Sequence, residues 1–212
     1  MPKFTGFPLT GLDFYEDLEA DNSKAFWNAN KKVWEESVRD PLQALVADLE
    51  PDFGPAKIFR PYRDVRFSKD KSPYKTHQGA VIHTASTSGW YVHISAAGLF
   101  VAGGLYAASP AQLAALRTAI DDDVRGPELE TILAQLISSG YTIGGDKLAT
   151  KPKGFAIDHP RIDLLRHKSL TAGKEFGSPT WLPTPRAAAE VRAAWEQLRP
   201  LQEFLAAVTD QK

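Results

Sequence analysis

The sequence predicts an α+β fold: a largely antiparallel central sheet flanked by N-terminal and C-terminal helices. Three observations carry this. Apolar residues recur at helical spacing through the first fifty positions. Short runs with strand character, joined by links too short for a crossover, fill 56–106. Helical spacing then returns and dominates to the end. The chain has 212 residues with no internal repeat and no low-complexity linker, so a single domain over 1–212 is expected.

The first helix opens at Thr10-Gly11-Leu12-Asp13, a hydroxyl three residues before a carboxylate, and continues through Leu12, Tyr15 and Leu18. Asp21-Asn22-Ser23 ends it and caps a second helix with Phe26, Asn30, Val33, Trp34 and Val38 on its buried stripe. Asp40-Pro41 reads as a fresh cap with proline at the first helical position, followed by Leu42, Leu45, Val46 and Leu49. Ala56–Arg60 is a strand and Asp64–Phe67 a second short one. Ala80–Thr84 and Trp90–Ser95 flank a turn sequence and form a hairpin, and Leu99–Tyr106 follows. Paired Gly103-Gly104 within that strand marks a bulge or a close approach to the backbone. Ser109-Pro110-Ala111-Gln112 is a capping box, Gly126-Pro127 restarts a helix that Gly140 ends, and His159–Lys168 is a short helix in a mixed region. Thr184-Pro185 caps a last helix, which Pro200 is expected to kink or split.

Hydrophobic content of 43% and charged content of 24% place the chain among ordinary globular proteins. The absence of cysteine excludes disulfides, thiolate nucleophiles and Cys-based metal sites. The N-terminus lacks an apolar signal region and no apolar run reaches membrane-span length, so a soluble cytoplasmic protein without membrane contact is expected. Net charge is −1, but its distribution is uneven. Residues 1–56 hold eleven acidic and five basic side chains, whereas 57–77 hold seven basic and two acidic. One basic strip on a near-neutral chain points to a local anion site rather than a broad nucleic-acid footprint.

That strip is the densest concentration of chemistry in the sequence. Arg60, Arg63, Arg66, Lys69, Lys71 and Lys75 supply positive charge, and Asp64 and Asp70 are placed to orient it. Guanidinium groups pair with carboxylate or phosphate oxygens, and a turn containing Ser68 offers N–H groups to an anion. In an extended chain Arg63 would oppose Arg60 and Arg66; a bulge or turn after Pro61 would let all three converge. Asp70 is a candidate base, and Tyr74 and His93 are candidate proton donors. The competing reading is a solvated turn shaped by its own Arg–Asp pairs.

Arg63-Asp64-Val65-Arg66-Phe67-Ser68-Lys69-Asp70-Lys71-Ser72-Pro73-Tyr74-Lys75-Thr76 resembles the signature of a bacterial and fungal family, domain of unknown function 2461. The resemblance extends over nearly the whole chain. It takes in Phe14, Leu18, Asn22, Phe26 and Trp27, then Tyr91-Val92-His93-Ile94 and Gly103-Gly104-Leu105-Tyr106. Towards the C-terminus it takes in Gly154-Phe155, Asp158-His159-Pro160, Leu165-Arg166 and Lys168. Trp27-Asn28 departs from the Trp-Phe of the family pattern, which touches only a local packing contact. The resemblance implies no activity, substrate or catalytic residue.

His77, His83 and His93 share a face with Tyr91 and Ser95 if strand register sets them opposite one another. They could then act as general acid or base or bind a metal, but no carboxylate sits at metal spacing beside them, and a polar sheet face is the favoured reading. Of Trp90 and Tyr91, on opposite strand faces, one is expected to line a site. Asp158, His159, Arg161, Arg166, His167 and Lys168 form a second basic cluster that either closes over the first or is structural. No phosphate loop, dinucleotide fingerprint, serine elbow or HExxH motif is present. The leading functional expectation is a domain that binds a small anionic or phosphorylated ligand at the strip, with hydrolysis or transfer at a phosphoryl or acyl group as the fitting chemistry. The alternative is a non-catalytic protein- or nucleic-acid-binding module, and a third reading makes the strip structural. The sequence specifies no cofactor.

Overall fold

Six strands form an antiparallel sheet among the residues that this computed structural model describes, which are 3–66, 69–84 and 88–209. They are β1 (Ala56–Ile58), β2 (His77–His83), β3 (Ser88–Ser95), β4 (Gly98–Leu105), β5 (Thr142–Gly144) and β6 (Leu170–Gly177). Their order in the sheet is β1-β2-β3-β4-β6-β5. Helices precede and follow the central strands in the chain, so the fold is α+β. No helix of the described residues is long and apolar enough to cross a membrane. The expected strand at 64–67 does not form over its described residues, and the turn expected at 85–89 falls mostly on residues outside the described set.

The chain divides into two compact units. One comprises Met1–Ile82, Tyr91–Val101 and Glu175–Ala193, the other His83–Trp90, Ala102–Lys174 and Ala194–Lys212.

The first unit holds helices α1 (Thr10–Ala20), α2 (Lys24–Trp34) and α3 (Asp40–Phe53). Ser23 caps α2, its hydroxyl accepting from Phe26 N. Of the expected stripe Trp34 and Val38 are buried, Phe26 and Asn30 are half-buried and Val33 is exposed, while Trp27, not expected on it, is buried. The reason is aromatic packing: the Trp27 ring stacks on Tyr74 at 4.2 Å and meets Phe14 edge-on at 5.8 Å. Asn28, where the family pattern departs, is exposed. No break occurs at Asp40-Pro41. A π-helical turn, Glu35–Arg39, carries α2 directly into α3. Pro41 lacks the N–H that would bond the Ser37 carbonyl, and the wider turn accommodates its ring. Nor does Thr10 cap α1; it lies inside the helix, its hydroxyl 2.9 Å from that of Ser37.

The second unit holds α4 (Pro110–Asp121), α5 (Arg125–Ser138), the short α6 (Ile162–Leu165) and the later part of α7 (Arg186–Thr209). The Ser109–Gln112 capping box forms in both directions. Pro200 lies inside α7, which runs through it as one helix: buried Trp195, Leu198, Leu201 and Leu205 hold the two sides of the proline to one apolar face. The Gly103-Gly104 pair makes room for the protein itself. A Cβ on Gly103 would lie 3.0 Å from Gln202 Nε2, and one on Gly104, at φ +135°, 2.4 Å from the Leu170 carbonyl oxygen. Strands β5 and β6 were not apparent in the mixed region of the sequence. They pair antiparallel, Thr142 to Gly173 through Gly144 to Thr171.

Candidate functional site

The basic strip is the far end of the β1–β2 hairpin. Ala56, Lys57 and Ile58 pair with Ile82, Val81 and Ala80, and Phe59 N donates to Gly79 O at 3.0 Å. Further out Tyr62 pairs with Tyr74, closed by Arg63 N to Pro73 O and Lys75 N to Pro61 O. Between these two pairings Arg60 and Pro61 on one arm face four residues on the other, Lys75 to Gln78. The bulge is therefore on the returning arm, not after Pro61 as the sequence suggested. Gln78 is buried within it and donates its amide to Phe59 O. Asn22, in the link between α1 and α2, holds the backbone of Tyr74 from the side.

The tip of the hairpin shapes itself. Arg66 makes a two-pronged pair with Asp64, Nε to Oδ1 at 2.9 Å and Nη2 to Oδ2 at 2.6 Å. Asp70 accepts from Ser72 N at 2.9 Å and from its hydroxyl at 2.6 Å, and it pairs with Arg63. Lys71 Nζ donates to the Val65 carbonyl at 2.9 Å. Lys69 is exposed, and Ser68 lies outside the described residues. Arg66 lowers the pKa of Asp64, and the Ser72 hydroxyl and N–H, more than Arg63, lower that of Asp70. A carboxylate whose ionised form is favoured in this way accepts a proton less readily. The Tyr74 ring is packed against Trp27, and burial followed by the nearby Tyr62 raises its pKa.

Behind the tip the remaining cations meet a cluster on the sheet. Tyr91 and His93, two apart on β3, point to one face. The Tyr91 hydroxyl lies 3.1 Å from His93 Nδ1. His93 stacks on Phe100 of β4 at 4.9 Å, and its ring centre is 5.0 Å from that of His77 on β2. Phe59 lies 6.4 Å from Tyr91 and carries the Lys75 ammonium 5.2 Å from its ring centre. Gly79 makes the arrangement fit: a Cβ there would stand 2.6 Å from the Tyr91 hydroxyl. His83 is not part of this group; its Nδ1 lies 3.0 Å from the Tyr106 hydroxyl. Of the strand pair, Tyr91 is the ring at the cluster, whereas Trp90 is buried beside Trp195 at 6.2 Å.

The charges in this cluster repel one another. Burial lowers the pKa of His77, and Lys75 and Arg63 lower it further. Burial and then Arg60 lower that of Lys75. Burial, reinforced by His77, brings His93 down to about 4, and burial pushes Tyr91 up to about 12. Both imidazoles are therefore neutral at neutral pH, each with an acceptor nitrogen. No group of three or more His, Asp or Glu among the described residues is arranged to hold a metal.

The second basic cluster is structural. Arg161 donates from Nε to Ile120 O at 2.6 Å and from Nη2 to Asp121 O at 3.1 Å, closing the C-terminus of α4. His159 Nε2 lies 3.0 Å from Asp121 Oδ1. Arg166 donates to Leu148 O at 2.9 Å and to Ala149 O at 3.2 Å, and buried His167 contacts Ser169 O at 2.8 Å.

The family model described as conserved hypothetical protein (DUF2461) matches residues 10–204, spanning the hairpin, the sheet cluster and α7. The chain belongs to the DUF2461 family. No curated protein matches it. Several residues that carried the resemblance to DUF2461 now have physical roles. Asn22 and Trp27 hold Tyr74, His93 lies in the cluster, and Gly103-Gly104 admits Gln202 and β6. Phe59, Gly79 and Phe100 were not singled out from sequence. Phe59 and Phe100 stood in runs already read as strands, whereas Gly79 lay one residue before the strand expected at Ala80–Thr84.

Proposed function

We propose that this DUF2461 protein binds a small anionic ligand, phosphorylated or carboxylated, where Arg60, Arg63 and Lys75 meet His77 and His93. One observation carries the reading: the Lys75 ammonium lies 5.2 Å from the Phe59 ring centre, on a half-buried face that also holds the His77–His93 pair. Arg60 acts on Lys75, and Lys75 and Arg63 act on His77, each disfavouring a further positive charge. Of the strip's carboxylates, Asp64 is committed to Arg66, while Asp70 is held by Ser72 and pairs with Arg63, which leaves Arg60 and Lys75 as the main source of positive charge. An anion at this point relieves the repulsion, and burial strengthens its attraction. Among the acid–base candidates read from sequence, His93 combines a neutral imidazole and a hydroxyl partner with a place beside His77, so phosphoryl or acyl transfer there would draw on His93 and His77 rather than Asp70 or Tyr74.

Thermal-shift and calorimetric titration with inorganic phosphate, pyrophosphate and citrate test this. The expected result is a rise in Tm and saturable binding. Arg60→Ala and Lys75→Met should each weaken binding by roughly tenfold, while Arg66→Ala leaves it nearly unchanged. Absence of binding by every anion would overturn the proposal. Uptake of a single-stranded oligonucleotide with none of the small anions would favour the nucleic-acid-binding alternative.

A further inference from the structure

Resting on the anion-binding reading, we propose that the ligand's organic body is a flat aromatic ring, so that the site takes aryl or heteroaryl phosphates, the class to which nucleoside monophosphates belong. The face behind the cations is built from rings. Phe59, His77, Tyr91, His93 and Phe100 all lie on it, and each is half-buried rather than buried. The opposite set on β3 and β4, with Trp90, Val92, Ile94, Leu99 and Val101, is fully buried core. On β2 the one aliphatic of the same parity as His77 is Val81, which is buried; on β3 the half-buried face carries no branched aliphatic side chain, its other half-buried member being Ser95. Its rings are contiguous, His93 to Phe100 at 4.9 Å and 24°, His77 to His93 at 5.0 Å, Tyr91 to Phe100 at 6.2 Å.

A surface of π faces rewards a flat unsaturated body over an aliphatic one, because stacking adds to area burial. Lys75 sits at its rim, its ammonium 5.2 Å from the Phe59 ring centre, so a phosphate held there leaves an attached ring over the aromatic face. His77 offers a donor and an acceptor to ring heteroatoms.

Calorimetry with methyl phosphate, phenyl phosphate and adenosine 5′-monophosphate decides the matter. The two aromatic phosphates should bind about tenfold or more tightly than methyl phosphate. Phe100→Leu should remove that advantage while keeping methyl phosphate affinity within about twofold, with circular dichroism and Tm confirming the fold. Phe59→Leu serves as a second variant; because Phe59 also carries Lys75, only the ratio of phenyl to methyl phosphate affinity is read, and it should likewise fall towards one. Equal affinity for methyl and phenyl phosphate, or an advantage that survives both leucine variants, would overturn the ring preference while leaving anion binding intact. No binding by any phosphate would instead remove the underlying anion site, and with it this inference.

Discussion

Asn22 grips the backbone of Tyr74 with both ends of its side-chain amide: Oδ1 accepts from Tyr74 N at 3.0 Å and Nδ2 donates to Tyr74 O at 3.1 Å. A link between two helices thus supplies the pairing that a neighbouring strand would otherwise give. It fixes the root of the hairpin tip while the Tyr74 ring stacks on Trp27.

Asn22→Ala removes both bonds and leaves a part-buried N–H and carbonyl unmatched. The expected cost is about 2–3 kcal/mol, read by urea denaturation. Asn22→Asp keeps the acceptor and loses the donor, so it should fall between the two. A loss below about 0.5 kcal/mol for the alanine variant would show that the grip is incidental.

Gly79→Ala sets a methyl against the Tyr91 ring and should destabilise by about 1–3 kcal/mol. Pairing it with Tyr91→Leu should recover part of that loss, because the clash and the ring are removed together. A double-mutant cycle measures the coupling; strict additivity would contradict the contact.

Stability should depend on pH through His93. Its pKa falls from 6.5 to about 4 on folding, so between these values the unfolded chain binds more protons than the folded one. Stability contributed by the neutral imidazole is full above about pH 6.5 and is lost as pH falls towards 4. His77, shifted in the same direction, adds to it, with Lys75, Arg63 and Tyr91 the other titratable or charged groups around the pair. The expected loss between about pH 7.5 and about pH 4.5 is roughly 2–3 kcal/mol. His93→Gln should flatten the profile in that window, and an unchanged slope would refute the assignment.

Arg161→Ala strips the donors from the last carbonyls of α4 and should lower stability by about 2–3 kcal/mol without affecting phosphate binding. Arg66→Ala, whose partner is an exposed carboxylate, should leave the urea denaturation midpoint essentially unchanged. The pair of variants separates the basic cluster that holds the fold from the exposed pair at the tip.

Local signals in the sequence were legible and distant ones were not. The Ser109–Gln112 box and the Ser23 cap are set within three residues, so their chemistry shows in the string. The strands of the central hairpin were legible from composition. Strand β6 was not, because Leu170–Gly177 carries two glycines and two charges and takes its place only through β4 and β5. The basic strip could be located from its charges, but which cations converge depends on the four-against-two mismatch of the hairpin arms. That in turn depends on pairings at 59/79 and 62/74 that no local rule sets. The meeting of His77 with His93 could be framed only as a matter of register, and the separate pairing of His83 with Tyr106 shows that same-strand parity was insufficient.

The two surplus residues on the returning arm also bear on how this molecule tolerates change. A hairpin of equal arms would run straight from Ile58 to the Tyr62–Tyr74 pair, and the sheet would still close. Lys75 and His77 owe their positions to backbone length rather than to side-chain identity. Shortening that arm by two residues is therefore a more radical edit than replacing any one of its side chains: it leaves the scaffold a complete ribbon and erases the place where charge and rings meet.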